Sequence, residues 1–190
     1  MSAGRGTLGH LAGHLLAALA FLIAPSTQAQ GLDVSGHLPD MTFSLRDDTG
    51  RGVTAATYRN QVVWLVFGFA GCGDACPTTL TRLVQARTAL GADGQTVRIL
   101  FVSVTSRTDR PQVLHAYLQG YGSPALTGLM GPDTRNLAKA LRAAFPVRAG
   151  DPPVHSNAVY VFDGSGHARR LIASANDQAG LIAATREALK

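Results

Sequence analysis

The sequence is poor in charge: Asp, Glu, Lys and Arg make up 15% of its 190 residues, against 46% hydrophobic residues. That balance excludes a disordered chain, which cannot bury enough apolar surface to offset its ordering entropy. No run of five like charges occurs, and the basic residues (Arg107, Arg110, Arg135, Lys139, Arg142, Arg148, Arg169 and Arg170 among them) are scattered without interleaved aromatics. A nucleic-acid groove needs a concentrated basic patch, so these charges read as a solvated surface and no nucleic-acid partner is expected. There is no internal repeat and no low-complexity tract, which excludes solenoid and linker architectures. Only two cysteines are present, Cys72 and Cys76. A pair four residues apart closes too small a loop to scaffold a domain. Chemistry is the better reading of the pair.

Long hydrophobic runs are also scarce. The longest, residues 11–24, is interrupted only by Gly13 and His14. It follows a short segment carrying Arg5 and precedes Pro25 and the small, polar stretch Ser26-Thr27-Gln28-Ala29. This is the order of a secretory signal, with the cut expected after Ala29. A spanning helix wants about 20 apolar residues; the alternative is an uncleaved N-terminal anchor, the sole membrane contact expected. Setting residues 1–29 aside removes one arginine and leaves 16 basic against 12 acidic residues. Residues 30–190 are long enough to bury a core as one domain. Export to an oxidising compartment, the periplasm, is where thiol pairs form disulfides.

The mature segment reads as alternating short strands and helices. Residues 30–41 are expected to be an extended leader. Residues 42–45 and 52–55 flank the turn Asp47-Asp48-Thr49-Gly50 as a hairpin. Residues 62–69 and 97–104 are continuous apolar runs, read as strands buried on both faces. Between them, Pro77 sits where a first helical residue belongs, opening a helix over 77–90. Asp109-Arg110-Pro111 opens a second helix with Val113, Leu114, Tyr117 and Leu118 as its apolar stripe. Residues 125–130 fit neither period cleanly. A helix over 133–145 turns Leu137, Ala138 and Leu141 inward. Strands over 158–162 and 168–173 surround the turn Asp163-Gly164-Ser165-Gly166, and a helix over 177–189 closes the chain. The order calls for a layered α/β domain, a central sheet flanked by helices behind an N-terminal β-hairpin.

The cysteines lie between a buried strand and a helix, the junction where α/β folds place functional groups. Unpaired N–H groups and the dipole at a helix start favour a thiolate. Two thiolates suit a soft cation such as Cu(I), and the same pair can close a disulfide. Metal binding, redox exchange and an inert local disulfide are all open at this point. Two sulfurs leave a metal short of ligands, and histidine is the commonest further donor. His37 lies in the leader, His115 in a helix, His167 in a hairpin turn, and His155 in the stiff loop Asp151-Pro152-Pro153-Val154-His155-Ser156. Asp74, between the cysteines, is either a partner of the site or a surface turn residue.

The run Phe67-Gly68-Phe69-Ala70-Gly71-Cys72-Gly73-Asp74-Ala75-Cys76-Pro77-Thr78-Thr79-Leu80 resembles the signature F-G-Y-T-x-C-P-D-x-C-P-x-T-L of the Sco/SenC proteins. Val154-His155-Ser156, followed by Val159-Tyr160-Val161-Phe162-Asp163-Gly164, resembles that family's histidine segment. The likeness extends over about residues 37–175. It implies a thioredoxin-like fold and a copper-binding metallochaperone for a respiratory oxidase copper centre. Copper, as Cu(I), Cu(II) or both, would be held by Cys72, Cys76 and His155. The implied partner is a cytochrome oxidase subunit or another copper-receiving protein. A thiol–disulfide reductase acting on such a partner through Cys72 and Cys76 is the alternative. A peroxidase on the same fold, recruiting Thr79 and Arg107, fits the close second cysteine poorly. The sequence departs from the family pattern at Gly73, where the family has proline, at Phe69-Ala70 for Tyr-Thr, and at Thr105 for an aspartate.

Overall fold

The computed structural model describes residues 31–105, 109–143 and 157–190. The signal segment 1–29, Arg107, Arg148 and His155 therefore lie outside the described residues.

Strand β1 is Leu32–Asp33, β2 is Ser44–Asp47, β3 is Gly52–Thr54 and β4 is Val62–Gly68. Helix α1 (Ala75–Ala89) and strand β5 (Val97–Ser103) follow. Then come α2 (Pro111–Gln119), β6 (Leu126–Met130) and α3 (Thr134–Ala140). The chain ends with β7 (Val159–Phe162), β8 (Ala168–Ile172) and α4 (Gln178–Ala188).

Among the described residues, eight strands join one sheet in the order β1-β8-β7-β4-β5-β6-β2-β3. The expected neighbours hold: β5 pairs with β4 in parallel from Val62↔Val97 to Gly68↔Ser103, and β7 pairs with β4 antiparallel through Leu65↔Tyr160. Because β7 runs against β4, its first residues lie beside the end of β4 that leads to the cysteines. The β2–β3 hairpin is present and joins the sheet through β6 at Arg46↔Met130.

Every residue of β4 is buried, because alternate side chains enter two different cores. Val62, Trp64 and Val66 pack with Leu80 and Leu83 of α1, Leu114 of α2 and Leu181 of α4. Val63, Leu65 and Phe67 pack on the other face with Leu137 of α3, Phe43, Leu45 and Tyr160. Full burial of each large side chain is worth about 1.5–3 kcal/mol, so the centre of the sheet is the stiffest support the chain has for a site. Trp64 also donates its indole N–H to the Thr185 hydroxyl at 2.9 Å, which ties α4 to β4.

The extended leader is tied to the sheet at its start, where Leu32 and Asp33 pair with Leu171 and Arg170 of β8. Two other readings are refined. The ambiguous stretch is the strand β6, and Gly128 within it is required by α2, since a Cβ there would come within 2.5 Å of the Leu114 side chain. Val113, expected in the apolar stripe, is 45% exposed, while Leu114 and Leu118 carry the contact.

Candidate thiol and metal site

At the end of β4 the chain makes a tight turn before α1. The Cys72 N–H donates to the Phe69 carbonyl at 3.1 Å, the bond of a four-residue turn over 69–72. Helix α1 then starts at Ala75, two residues before the expected Pro77, with Asp74 as its N-cap residue. Asp74 is exposed, and its side chain makes no capping hydrogen bond. Its surface position supports the turn-residue reading.

The earlier start places Cys76 inside the first helical turn, where it is 2% exposed. Cys72 is half-buried just outside the helix. The two are joined as a disulfide, with their Cα atoms 5.8 Å apart. Two influences act on Cys76 once the bond is reduced. The helix start favours its thiolate, whereas burial opposes it. Cys72 has the freer access to solvent and to a partner.

Gly68 makes this packing possible. A Cβ on it would meet the Phe101 ring at 2.5 and 2.6 Å and the Cys76 sulfur at 2.9 Å. Gly73 is different: a Cβ there would meet nothing within 4 Å. The glycine that replaces the family's proline therefore relieves no crowding in this loop.

Behind the site stands an aromatic wall. Phe101 packs on Tyr117 with ring centroids 5.9 Å apart, and Tyr117 meets Tyr121 edge-on at 5.6 Å. Burial, then the hydrogen bond it shares with Tyr121, push the Tyr117 phenol well above its ordinary pKa, so it stays protonated.

Asp109 is the residue sequence reasoning undervalued. It was read as part of a helix start, but it is 4% exposed and faces the cysteine loop. Both its carboxylate oxygens accept the Ala70 N–H, at 3.2 and 3.1 Å, and the Ser103 hydroxyl donates to one of them at 2.7 Å. An aspartate directly before a helical Arg-Pro looks like a capping residue, so nothing local in the sequence signalled this long-range contact.

The described histidines are elsewhere. His115 pairs through Nδ1 with Asp48 at 2.8 Å, and Gln119 meets its Nε2 at 2.8 Å. That pair borders a cavity of about 450 Å³ lined also by Arg98 and Leu126, the opposite end of the parallel strands from the cysteines. His167 sits between the Asp40 and Asp163 carboxylates in the β7–β8 turn, and His37 is exposed in the turn after β1. Among the described residues no group of three His, Cys, Asp or Glu side chains converges as a metal site. Of the three residues expected to hold a metal, Cys72 and Cys76 are brought together as a disulfide, and His155 falls outside the described residues.

Comparison with known proteins identifies the fold and the family. The SCO1/SenC family model matches residues 35–190. Protein SenC of Rhodobacter capsulatus is 35% identical over 127 residues, 64% of this chain and 57% of SenC, so the chain spans just over half of that relative. Yeast Sco1 with copper bound superposes with a TM-score of 0.68 at 27% identity, covering 78% of this chain and 88% of that one. Bradyrhizobium japonicum ScoI with copper bound gives a TM-score of 0.66 at 25% identity, over 77% and 98% respectively. The α/β sheet flanked by helices is the thioredoxin-like fold of these structures. With the match running over residues 35–190, from before the first hairpin to the closing helix, the chain belongs to the SCO1/SenC family.

Proposed function

We propose that the protein is an exported copper carrier that delivers the ion to a copper centre of a respiratory oxidase. The observation that carries this reading is the convergence of the Cys72 and Cys76 sulfurs at the start of α1. Soft thiolates hold Cu(I), and a third imidazole donor suits Cu(II) as well. The donors would be Cys72, Cys76 and His155. His155 precedes Asn157 by two residues, and β7, which follows, begins beside the end of β4 that leads to Cys72. His115 and His167 are engaged by carboxylates at the far end of the sheet, which supports the assignment. The disulfide has no thiolate to offer, so only the reduced protein takes up the ion. Cys72, the more accessible sulfur, is the donor an incoming partner ligand reaches first. Residues 1–29 supply the export signal or a membrane anchor; among the described residues no helix is long and apolar enough to cross a membrane.

The disulfide itself favours a second reading, a thiol–disulfide reductase for the cysteines of the receiving protein. The Cys72 thiolate would attack a partner disulfide and release one partner thiolate. The Cys76 thiolate would then displace the other, so that two electrons pass to the partner and the Cys72–Cys76 bond forms.

The test is titration of reduced protein with Cu(I) and Cu(II) against competing chelators. One copper per chain is expected, with His155→Ala weakening Cu(II) binding at least tenfold more than Cu(I) binding. Parent affinity for both ions in His155→Ala would remove His155 from the site. Failure of the parent protein to bind either ion would leave the reductase reading.

A further inference from the structure

The cysteine turn has a donor with no acceptor inside the turn. In a four-residue turn closed from residue 69 to residue 72, the N–H of the second residue points outward. That residue is Ala70, and its N–H goes to the Asp109 carboxylate, 39 residues away in sequence. Asp109 is itself held: the Ser103 hydroxyl donates to it at 2.7 Å, and the Ser103 oxygen accepts the Thr105 N–H at 3.3 Å. A parallel bond, Val104 N–H to the Gly68 carbonyl at 2.9 Å, fastens the same two loops one step earlier. Beyond Ala70 the chain passes Gly71 and Gly73, on either side of Cys72, whose freedom would otherwise let the sulfur wander.

We propose that Asp109 is a positioning residue for Cys72: by gripping the Ala70 N–H it holds the cysteine turn in the conformation in which the two sulfurs meet. The proposal rests on reading Cys72 and Cys76 as the working pair. Burying a carboxylate is costly unless its oxygens are bonded, and here both oxygens accept the N–H of the turn that carries the reactive cysteine, with the Ser103 hydroxyl on one of them. With the grip lost, the pair must be brought together from a wider range of turn conformations. The effective concentration of one thiol at the other then falls.

The experiment measures the thiol–disulfide equilibrium of metal-free protein against glutathione, together with the melting temperature. Asp109→Ala is expected to lower the effective concentration about tenfold, which raises the reduction potential by about 30 mV. Asp109→Asn removes the charge but keeps an oxygen for the Ala70 N–H. Its amide can donate to the Ser103 oxygen, whose hydroxyl then turns to the Thr105 carbonyl, 3.0 Å away. It is expected to stay within about twofold of the parent. Ser103→Ala, which removes one of the bonds that orient the carboxylate, should fall between the two and carries the test if Asp109→Ala does not fold. Thr185→Val, destabilised far from the loop, should melt earlier with an unchanged equilibrium. A parent equilibrium constant in Asp109→Ala, or in Ser103→Ala where that variant must stand in, overturns the proposal. So does an Asp109→Asn value equal to that of Asp109→Ala, which would make charge the cause. An equal shift in Thr185→Val also overturns it. Because no metal enters this measurement, it is separate from the copper titration: a parent that binds no copper removes the carrier reading and leaves the role of Asp109 standing.

Discussion

Gly68→Ala tests whether the end of β4, the helix start and the aromatic wall are packed as one unit. The added Cβ would lie 2.5 and 2.6 Å from two Phe101 ring carbons and 2.9 Å from the Cys76 sulfur. Carbon atoms rest at about 3.5–4.0 Å, so roughly 1 Å of movement is needed. Phe101 is 1% exposed and braced by Tyr117, and Cys76 belongs to the first turn of α1, so neither side yields freely. Overpacking of this kind costs about 1–3 kcal/mol. At about 2–4 °C per kcal/mol for a chain of this size, the melting temperature should fall by roughly 2–12 °C. Displacement of Cys76 should also weaken its disulfide in a glutathione equilibrium. Gly73→Ala, five residues on, provides the internal contrast: with open space around it and a backbone outside the left-handed region, it should match the parent or gain about 0.4–1 kcal/mol. Adding Phe101→Leu to Gly68→Ala should recover part of the loss, a coupling that a double-mutant cycle reads directly. Equal melting temperatures for Gly68→Ala and Gly73→Ala would refute the packing argument.

Two further outcomes follow from buried polar groups. Thr185→Val keeps the shape of a side chain that is fully buried but leaves the Trp64 indole N–H without its acceptor. A loss of about 1–3 kcal/mol is expected, seen as a lower urea midpoint with an unchanged slope; an unchanged midpoint would contradict the bond. Burial pushes the phenols of Tyr58 and Tyr160 up to about 12, and Tyr117, by burial and then its bond with Tyr121, higher still. The unfolded chain loses these protons near pH 10 while the folded chain keeps them. Stability is therefore whole below about pH 10 and falls as pH rises toward 12. Urea midpoints at pH 9 and pH 11.5 should show the drop, with most tyrosinate absorbance appearing only on unfolding; equal midpoints would count against the buried phenols.

Much of the framework is local and was therefore legible. The apolar runs of β4 and β5 specify central strands, because only a sheet covered on both faces buries every residue. The cysteine turn was placed between strand and helix from the apolar run 62–69 and Pro77, with the helix start misjudged by two residues. Residues 126–130 were harder, since Thr127 and Gly128 interrupt the strand pattern; Gly128 is there for Leu114 of α2, a contact no local period encodes.

At the site the division is sharper. The sequence by itself named the atoms to which the proposal assigns the chemistry: two sulfurs four residues apart and, through resemblance, the His155 imidazole. It also determined the stiff support behind them, since hydrophobic periodicity is a property of neighbouring residues. Only the tertiary structure decided which sulfur is buried, why Gly68 cannot carry a side chain, and that the Asp109 carboxylate reaches Ala70. Those facts depend on how β4, β5, α1 and α2 pack together, and contacts between residues 39 positions apart leave no trace in the local order of the chain.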